Sequence, residues 1–479
     1  MRLFPGLRQI APAWREFVSS DASSKARDAL SVFRRRIATG IGAVLLGLFA
    51  IAFAKMGDLA QRLFLHLESL WPYGALLLTP AVFASVVYIT NRIAPDARGS
   101  GIPQVIAASR NPARDALGPL VSLRTAATKL LMTIVMLCAG GSVGREGPTV
   151  QISSAIMVAV HRALRVPITA GVLIAGGAAG VAAAFNTPLA GVAFAIEELA
   201  SAYEQKVAVL VMAAVMVAGL VSLGIAGDYI YFGAMRETLD LRSVLVIAPI
   251  AGIGGGLAGG LFSRILLAFA APTHRWIQVV KRRPILLAGV CGVVVALLGV
   301  ATTGATWGTG YETTRQIVES HGGSAWFGPS KFVATVATAV SGAPGGIFAP
   351  SLSVGAGFGD LLTGIFPDDP KGAIVLLGMI GYFVGVVRAP LTAVIIVTET
   401  TASRGMIVPL FATALIADLV SALVCRERLY HGLAKPILHA HGCAKNNGEQ
   451  EEEGNFVRRP APEEHAPSAY LDLPDRRSE

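Results

Sequence analysis

Three short motifs combine glycine with proline inside otherwise apolar sequence, and each is placed where a helix could begin. They are Gly99-Ser100-Gly101-Ile102-Pro103, Gly144-Arg145-Glu146-Gly147-Pro148 and Gly345-Gly346-Ile347-Phe348-Ala349-Pro350. Glycine just ahead of a proline and a fresh apolar stretch is typical of a helix start. The first backbone N–H groups of a helix lack internal partners, and this end carries about half a positive charge. Several such ends that converge would bind a small anion without a fixed cation.

Glu146 is the member of these motifs that could carry a proton. A carboxylate deep in an apolar membrane segment is costly and is a functional hypothesis by default. Neighbouring helix N-termini stabilise its charged form, while burial favours its neutral form. The charged side chain could therefore occupy an anion position itself, and the protonated one must leave it. The alternative, a salt bridge with Arg145, is sterically awkward because adjacent helical residues point in different directions.

The composition places these motifs in a membrane protein. The chain of 479 residues has 53% hydrophobic and 15% charged residues, with a mean hydropathy of +0.60. Soluble domains have about a quarter charged residues, so this chain has too few polar residues to cover a water-facing surface of its size. A bilayer core about 30 Å thick requires about 20 apolar helical residues. Several charge-free runs are long enough, namely Ile37–Ala54, Val166–Ile196, Val207–Gly227, Ser243–Ser263, Ile285–Tyr311 and Phe332–Gly359.

The distribution of charge and proline divides the chain into three parts. Residues 1–36 form a basic segment that we expect to be an interfacial helix, and residues 37–432 form the membrane domain. Residues 433–479, rich in Glu, Pro and Arg, are predicted to be a disordered tail. Basic residues precede the first span, crowd one middle loop and follow the last apolar run, so the positive-inside rule predicts cytoplasmic termini. This charge indicates topology and contact with anionic lipid rather than nucleic-acid binding.

The membrane domain contains an internal repeat, with halves at about 37–227 and 243–432. The segment that begins at Thr187 recurs from Ala389 (389 − 187 = 202), and the motif around Glu146 falls on that around Phe348 at the same offset. Duplicated halves with short helices broken by glycine and proline are typical of a transporter whose site lies at the repeat interface. The sequence alone leaves open whether the halves are inverted.

The three motifs resemble those of the CLC family of chloride channels and chloride/proton antiporters, and the similarity extends in order through nearly all of residues 37–432. The resemblance implies an all-α polytopic membrane protein with two inverted-repeat halves of tilted, partly broken helices. It also implies one pore per subunit, a homodimer and a location in a bacterial inner (plasma) membrane. Chloride and protons would be the transported species. We expect no cofactor, no metal ion, no nucleic-acid partner and no enzymatic activity.

The resemblance also implies roles for individual residues. Ser100 resembles the serine whose hydroxyl donates to the central anion, and Ile347 and Phe348 match the pair whose backbone N–H groups face that anion. Tyr430 resembles the tyrosine whose phenol completes the site from the cytoplasmic end; a generic interfacial tyrosine is the alternative. Glu146 matches the gate. The supporting residues are Gly99, Gly101, Pro103, Gly144, Arg145, Gly147, Pro148, Gly346, Pro350 and Glu197.

Glu198 bears on the choice between antiport and passive conduction. It matches the inner glutamate of proton-coupled members, where channels generally carry an apolar residue. Its presence predicts exchange of chloride for protons, and a passive chloride channel of the same fold is the alternative. Gln104 and Ile106 stand where relatives carry acids, so the inner proton route could differ here. Lys129, alone in an apolar stretch, could attract anions or form a structural pairing.

Two other classes of membrane protein fit the sequence less well. A proton-coupled cation carrier would need clustered carboxylates at mid-membrane, but the repeat partner of Glu146 is Phe348. An intramembrane hydrolase would need a Ser/His or His-x-x-x-His arrangement, which the apolar runs do not contain.

Overall fold

The computed structural model describes residues 7–110, 112, 118–199, 205–227, 230–272 and 274–440. Over these ranges the chain forms eighteen α-helices. In chain order they are α1 (Leu7–Leu70), α2 (Ala75–Ile93), α3 (Ile102–Arg110), α4 (Leu123–Leu137), α5 (Glu146–Ala163), α6 (Ala170–Phe185), α7 (Pro188–Phe194), α8 (Gln205–Ala226), α9 (Leu241–Ala270), α10 (Arg275–Lys281), α11 (Pro284–Ala301), α12 (Tyr311–Val318), α13 (Phe327–Val340), α14 (Phe348–Thr363), α15 (Lys371–Val387), α16 (Pro390–Thr401), α17 (Ile407–Val424) and α18 (Leu429–Ala440).

Long spans alternate with helices too short to cross a bilayer alone. Within the described ranges, six helical segments are long and apolar enough to span it. They are Leu30–Leu70, Ala75–Ile93, Val207–Ile225, Leu241–Ala270, Pro284–Ala301 and Arg404–Val424. The charge-free run Val166–Ile196 is not one span, because the chain breaks at Asn186 (φ 57°) and restarts at Pro188. A left-handed residue ends a helix, and proline then suits the first turn of the next.

The two ends of the membrane domain differ from the predicted boundaries. The basic lead-in is continuous with the first span, because α1 runs from Leu7 to Leu70 without a break at residue 36. At the other end α18 extends to Ala440, so the first residues of the predicted tail are helical. Residues 441–479 lie outside the described residues, and their disorder stays a prediction.

The internal repeat relates helices α5–α8 to α14–α17. Gly144 N donates to Gly346 O and Gly346 N donates to Gly144 O, both at 2.7 Å, in an antiparallel bridge. These two glycines are repeat partners (346 − 144 = 202), so a local two-fold axis passes between them. The carboxylates of Glu197 and Glu399, which are also repeat partners, cap the helix starts of the opposite half at Thr392 and Ala190. Such reciprocal contacts show that a local two-fold axis relates the two halves.

Close backbone contact between glycine-lined helix faces holds the second half together. A Cβ atom at Gly255 or Gly259 of α9 would overlap the backbone of α15 at Gly381 and Gly385. Ser263 Oγ continues this interface with a 2.9 Å hydrogen bond to the carbonyl of Val386 on α15. In lipid, where no hydrophobic effect drives helices together, close approach of small residues stabilises packing through van der Waals contact. This explains why glycine is concentrated inside the apolar runs.

Candidate anion and proton site

The starts of α3, α5 and α14 lie together at the repeat interface. They begin at Ile102, Glu146 and Phe348, which confirms the three predicted helix starts. Backbone hydrogen bonds join the preceding loops: Gly345 N donates to Gly99 O at 3.1 Å, in addition to the reciprocal glycine bridge. The packing leaves no room for a side chain at Gly147, where a Cβ would lie 3.0 Å from Ser100 O. Three positive helix ends therefore converge, as an anion site requires.

Ser100 and Tyr430 face each other beside this convergence. Ser100 Oγ accepts a 3.3 Å hydrogen bond from Ile102 N at the start of α3. Tyr430 is fully buried, and its hydroxyl faces Ser100. This hydroxyl makes no hydrogen bond of normal geometry with any described residue. The Tyr430 ring packs against Phe348 at 5.9 Å between centroids. Because hydroxyl groups rotate, both can donate to an anion held between them.

Glu146 is fully buried, and its carboxylate lies between two helix starts. The backbone N–H groups of Glu146 and Ala349 face this carboxylate, and the hydroxyl of Tyr311 donates to its Oε1. These groups are all donors and favour the charged form, while burial favours the neutral one, and Oε2 has no hydrogen-bond partner among the described residues. The same donors would suit a small anion, and the charged side chain therefore occupies an anion-like position.

Arg145 points away from Glu146 into a cluster of its own. Its Nη1 donates to Asp58 Oδ1 at 2.7 Å and to Ala54 O at 2.6 Å, which ties the start of α5 to α1. Its Nη2 donates to the Tyr231 hydroxyl at 2.7 Å. The structure thus lacks the direct Arg145–Glu146 salt bridge that was the alternative for this pair, and the Glu146 carboxylate contacts the Tyr311 hydroxyl rather than a paired cation.

Three residues of this cluster were missed from sequence: Asp58, Tyr231 and Tyr311. Asp58 and Tyr231 lie in no motif, so nothing local marks them. Tyr311 follows Gly308-Thr309-Gly310, a glycine pattern that could have been noticed as a fourth helix start.

Glu198 is also fully buried, in the helical turn Ala195–Leu199 that follows α7, and it lies beside His431 of α18. His431 Nδ1 lies 3.4 Å from Glu198 Oε1, and the His431 side chain retains 33% of its exposure while that of Glu198 has none. Arg428 and Glu197 are the other charged groups that act on Glu198. Both Glu198 and Glu146 act electrostatically on Tyr430, which places the tyrosine within range of the two carboxylates.

The residues that depart from the family pattern have structural contacts. Gln104 Nε2 donates to the carbonyls of Asp96 and Arg98, at 3.2 and 2.8 Å. Lys129 Nζ, fully buried, donates to the carbonyls of Arg98 and Gly99, at 3.3 and 2.8 Å. Both side chains hold the loop ahead of α3. For Lys129 this favours the structural pairing over anion attraction.

No group of three or more His, Cys, Asp or Glu side chains in the described ranges could hold a metal ion. The donors at the convergence are hydroxyl and amide groups, which suit an anion.

Comparison with known proteins identifies the family. The family model described as "Voltage gated chloride channel" matches residues 82–422. The chain belongs to the CLC family. It is 31% identical over 426 residues to the H(+)/Cl(-) exchange transporter ClcA of Yersinia pestis bv. Antiqua (strain Angola), covering 83% of this chain and 86% of that protein. It is 31% identical over 378 residues to ClcA of Vibrio vulnificus (strain YJ016), covering 75% and 78%.

Solved CLC structures share the fold. A slow cyanobacterial Cl⁻/H⁺ antiporter superposes with a TM-score of 0.72 at 24% identity, covering 85% of this chain and 98% of that one. A CLC-type fluoride/proton antiporter superposes with a TM-score of 0.70 at 20% identity, covering 84% and 98%. This CLC chain is therefore an all-α integral membrane protein of two inverted halves, as the sequence predicted.

Proposed function

We propose that this CLC chain is a secondary active transporter that exchanges chloride for protons across the membrane. The observation that carries the proposal is the position of Glu146. A fully buried carboxylate that accepts from the Tyr311 hydroxyl where two positive helix ends meet is both a proton acceptor and a substitute for an anion.

Chloride binding would use directed donors without a fixed cation. The hydroxyls of Ser100 and Tyr430 supply two of them, and the backbone N–H groups of Ile347 and Phe348 at the start of α14 supply the others. Partial charges of this kind bind an anion and still release it, because no full positive charge traps it. Fast turnover requires this balance.

Exchange would follow from competition at the gate. When Glu146 is charged it occupies the anion position and blocks it; when a proton neutralises it, the donors favour chloride and the side chain leaves. Chloride therefore occupies the site only while Glu146 carries a proton, and because the proton and the chloride would reach the site from opposite sides, the two fluxes run in opposite directions. Glu198, buried near Tyr430, would deliver or receive the proton from the other side.

The names of the relatives favour exchange over passive conduction. Both the Yersinia and the Vibrio relatives are called H(+)/Cl(-) exchange transporters. The buried Glu198 supports the same choice, since a passive channel has no need of a second buried carboxylate.

Location, orientation and assembly follow from the resemblance and the charge distribution. We expect the chain in a bacterial inner membrane, as a homodimer with one pore per subunit. The basic residues before the first span and after the last favour cytoplasmic termini. A reactive cysteine introduced near the N-terminus should be modified from the cytoplasmic side only.

Reconstitution into liposomes tests the proposal. With chloride and proton fluxes recorded together, an outward chloride gradient should drive protons into the liposomes against their own gradient. A chloride flux with no proton movement would make the protein a passive channel, and the proposal of exchange would be wrong.

A further inference from the structure

The segment ahead of α12 is the repeat partner of the Ser100 motif. Gly308-Thr309-Gly310-Tyr311 matches Gly99-Ser100-Gly101-Ile102 at an offset of 209 (311 − 102 = 209). The φ angles agree, at 65° for Gly308 and 62° for Gly99, and at 83° for Gly310 and 103° for Gly101. In one half this turn presents Ser100 to the anion position. In the other half it places Tyr311 at the first position of a helix.

Buried hydrogen bonds fix the position of α12. Lys331 Nζ, fully buried, donates to the carbonyls of Thr306 and Gly308, both at 2.8 Å. Lys331 is the repeat partner of Lys129 (331 − 129 = 202), which holds the corresponding loop of the first half. Ser353 on α14 accepts from Thr314 Oγ1 at 2.8 Å and donates to the carbonyl of Thr309 at 3.1 Å. The start of α12 is therefore anchored to α13 and α14.

Tyr311 reaches the gating carboxylate from this anchored start. Its hydroxyl donates to Glu146 Oε1. Its ring lies edge-on against Tyr231, with 4.3 Å between centroids, and 5.4 Å from the guanidinium carbon of Arg145. A phenol held by packing on two sides is a pre-organised donor, so its hydrogen bond costs little additional side-chain entropy.

We propose that Tyr311 is a latch on the gate: its hydroxyl holds the charged Glu146 carboxylate in the anion position and weakens its hold when the carboxyl group is protonated. This positioning role rests on the gate function proposed above for Glu146. A charged carboxylate accepts a stronger hydrogen bond than a neutral acid does, so the latch favours the closed, charged state. Tyr311 thereby sets the proton concentration at which the gate opens.

Other charged and titratable groups near Glu146 also influence its protonation. Tyr311 contacts its carboxylate, Arg145 acts on it electrostatically without contact, and Tyr430 of α18 lies within electrostatic range. Asp58 of α1 pairs with Arg145 and offsets part of its charge. Removing the Tyr311 hydroxyl leaves every one of these charges in place, so a change in pH dependence would report the latch alone.

The test is the pH dependence of chloride flux in liposomes that contain Tyr311→Phe. Phenylalanine keeps the ring and its packing on Tyr231 and loses only the donor. The pH of half-maximal chloride flux should rise by about one unit, a tenfold change in proton concentration, with the maximal flux at low pH retained. An unchanged midpoint with the same maximal flux would overturn the latch.

Tyr231→Phe is the matched control, since its hydroxyl meets Arg145 rather than Glu146; it should keep the wild-type midpoint. An equal shift in both variants would assign the effect to the aromatic cluster and overturn the latch. The gate proposal for Glu146 and the latch proposal for Tyr311 would be contradicted by different results. If Glu146→Gln still couples proton movement to chloride, the gate proposal is wrong; if Glu146→Gln uncouples but Tyr311→Phe has no effect, only the latch is wrong.

Discussion

At the scale of single residues, the proposed site would select its anion through a few directed donors. Ser100 and Tyr430 would contribute hydroxyls, and the start of α14 would contribute backbone amides. Each hydrogen bond to a charged partner is worth about 1.5–3 kcal/mol against water. A difference of about 1.4 kcal/mol is one decade in affinity. The loss of one donor is therefore enough to change the preference between two similar anions.

Ser100→Pro should shift transport from chloride towards nitrate. Proline removes the hydroxyl, and it suits a position just ahead of a helix. Chloride concentrates its charge on one atom and loses more from a missing donor than nitrate, which spreads its charge over three oxygens. We expect the ratio of nitrate-driven to chloride-driven proton flux to rise about tenfold. Ser100→Thr, which keeps the hydroxyl, should retain the wild-type ratio; an unchanged ratio in Ser100→Pro would move selectivity onto the backbone amides.

Glu198→Gln should separate the two fluxes. A neutral amide cannot relay protons, yet Glu198 contacts His431 rather than the donors around Ser100. Proton transport should therefore fall at least tenfold while chloride flux persists. Parallel flux recordings with proton and chloride electrodes measure this. Equal loss of both fluxes would instead assign Glu198 to helix packing.

Glu197→Gln is the matched comparison, because the Glu197 carboxylate caps the start of α16 at Leu391 and Thr392. This substitution should lower the stability of the protein and leave the coupling of proton to chloride flux unchanged.

At the scale of elements, two buried lysines hold the loops that position Ser100 and Tyr311. Lys129 fixes the loop before α3, and Lys331 fixes the loop before α12. A buried amino group that donates to two carbonyls holds both of them in place, because each carbonyl would otherwise lose its partner away from water. The two ties are equivalent in the repeat but serve different residues, Ser100 in one half and Tyr311 in the other.

Lys129→Met and Lys331→Met should therefore both lower the thermal stability of the protein, but each should change a different property of transport. Each leaves two buried carbonyls with a lost partner, at a cost of about 1–3 kcal/mol per group. Both variants should unfold at a lower temperature in detergent than the wild type. Lys129→Met should mainly alter anion preference, and Lys331→Met should mainly alter the pH dependence of flux. The same functional change in both variants would contradict this division of roles.

The helix starts are the features of the fold that the sequence predicts best. Ile102, Glu146 and Phe348 were placed correctly because glycine and proline act on the backbone of their own turn. The repeat was found where α5–α8 and α14–α17 align without a gap. The second offset, 209, is hidden because the stretch from Ser100 to Lys129 is seven residues longer than its counterpart from Thr309 to Lys331 (29 − 22 = 7), which obscures the match between Ser100 and Thr309.

At the scale of the whole molecule, the inverted repeat places the working residues together. The bridge between Gly144 and Gly346 lies on the local two-fold axis, and the starts of α5 and α14 meet there from opposite halves. In the proposed site this asymmetry matters, because one half contributes a carboxylate, Glu146, and the other contributes Phe348 at a helix start. A symmetric pair of acids would favour cations, whereas a single acid beside converging helix starts would favour an anion.

Contacts between distant segments account for what the sequence could not predict. Tyr311 lies 165 residues from Glu146, and Asp58 lies 87 residues from Arg145. No local pattern links them, because their proximity depends on how α1 and α12 pack against the start of α5. The charge-free runs likewise indicate a membrane protein but not its spans, since Asn186 ends a helix inside the run Val166–Ile196 with a φ angle of 57°. Its repeat partner Arg388 ends α15 in the same way, with a φ angle of 59°.

The central claim is that one carboxylate, Glu146, both blocks the anion path and carries the proton. The most direct measurement compares wild type with Glu146→Gln in liposomes under an outward chloride gradient, with proton and chloride fluxes recorded together. In the wild type, chloride should drive protons uphill and the chloride flux should depend on pH. In Glu146→Gln, chloride flux should persist or rise, lose its pH dependence and drive no uphill proton movement. A Glu146→Gln protein that still moves protons against their gradient would contradict the account.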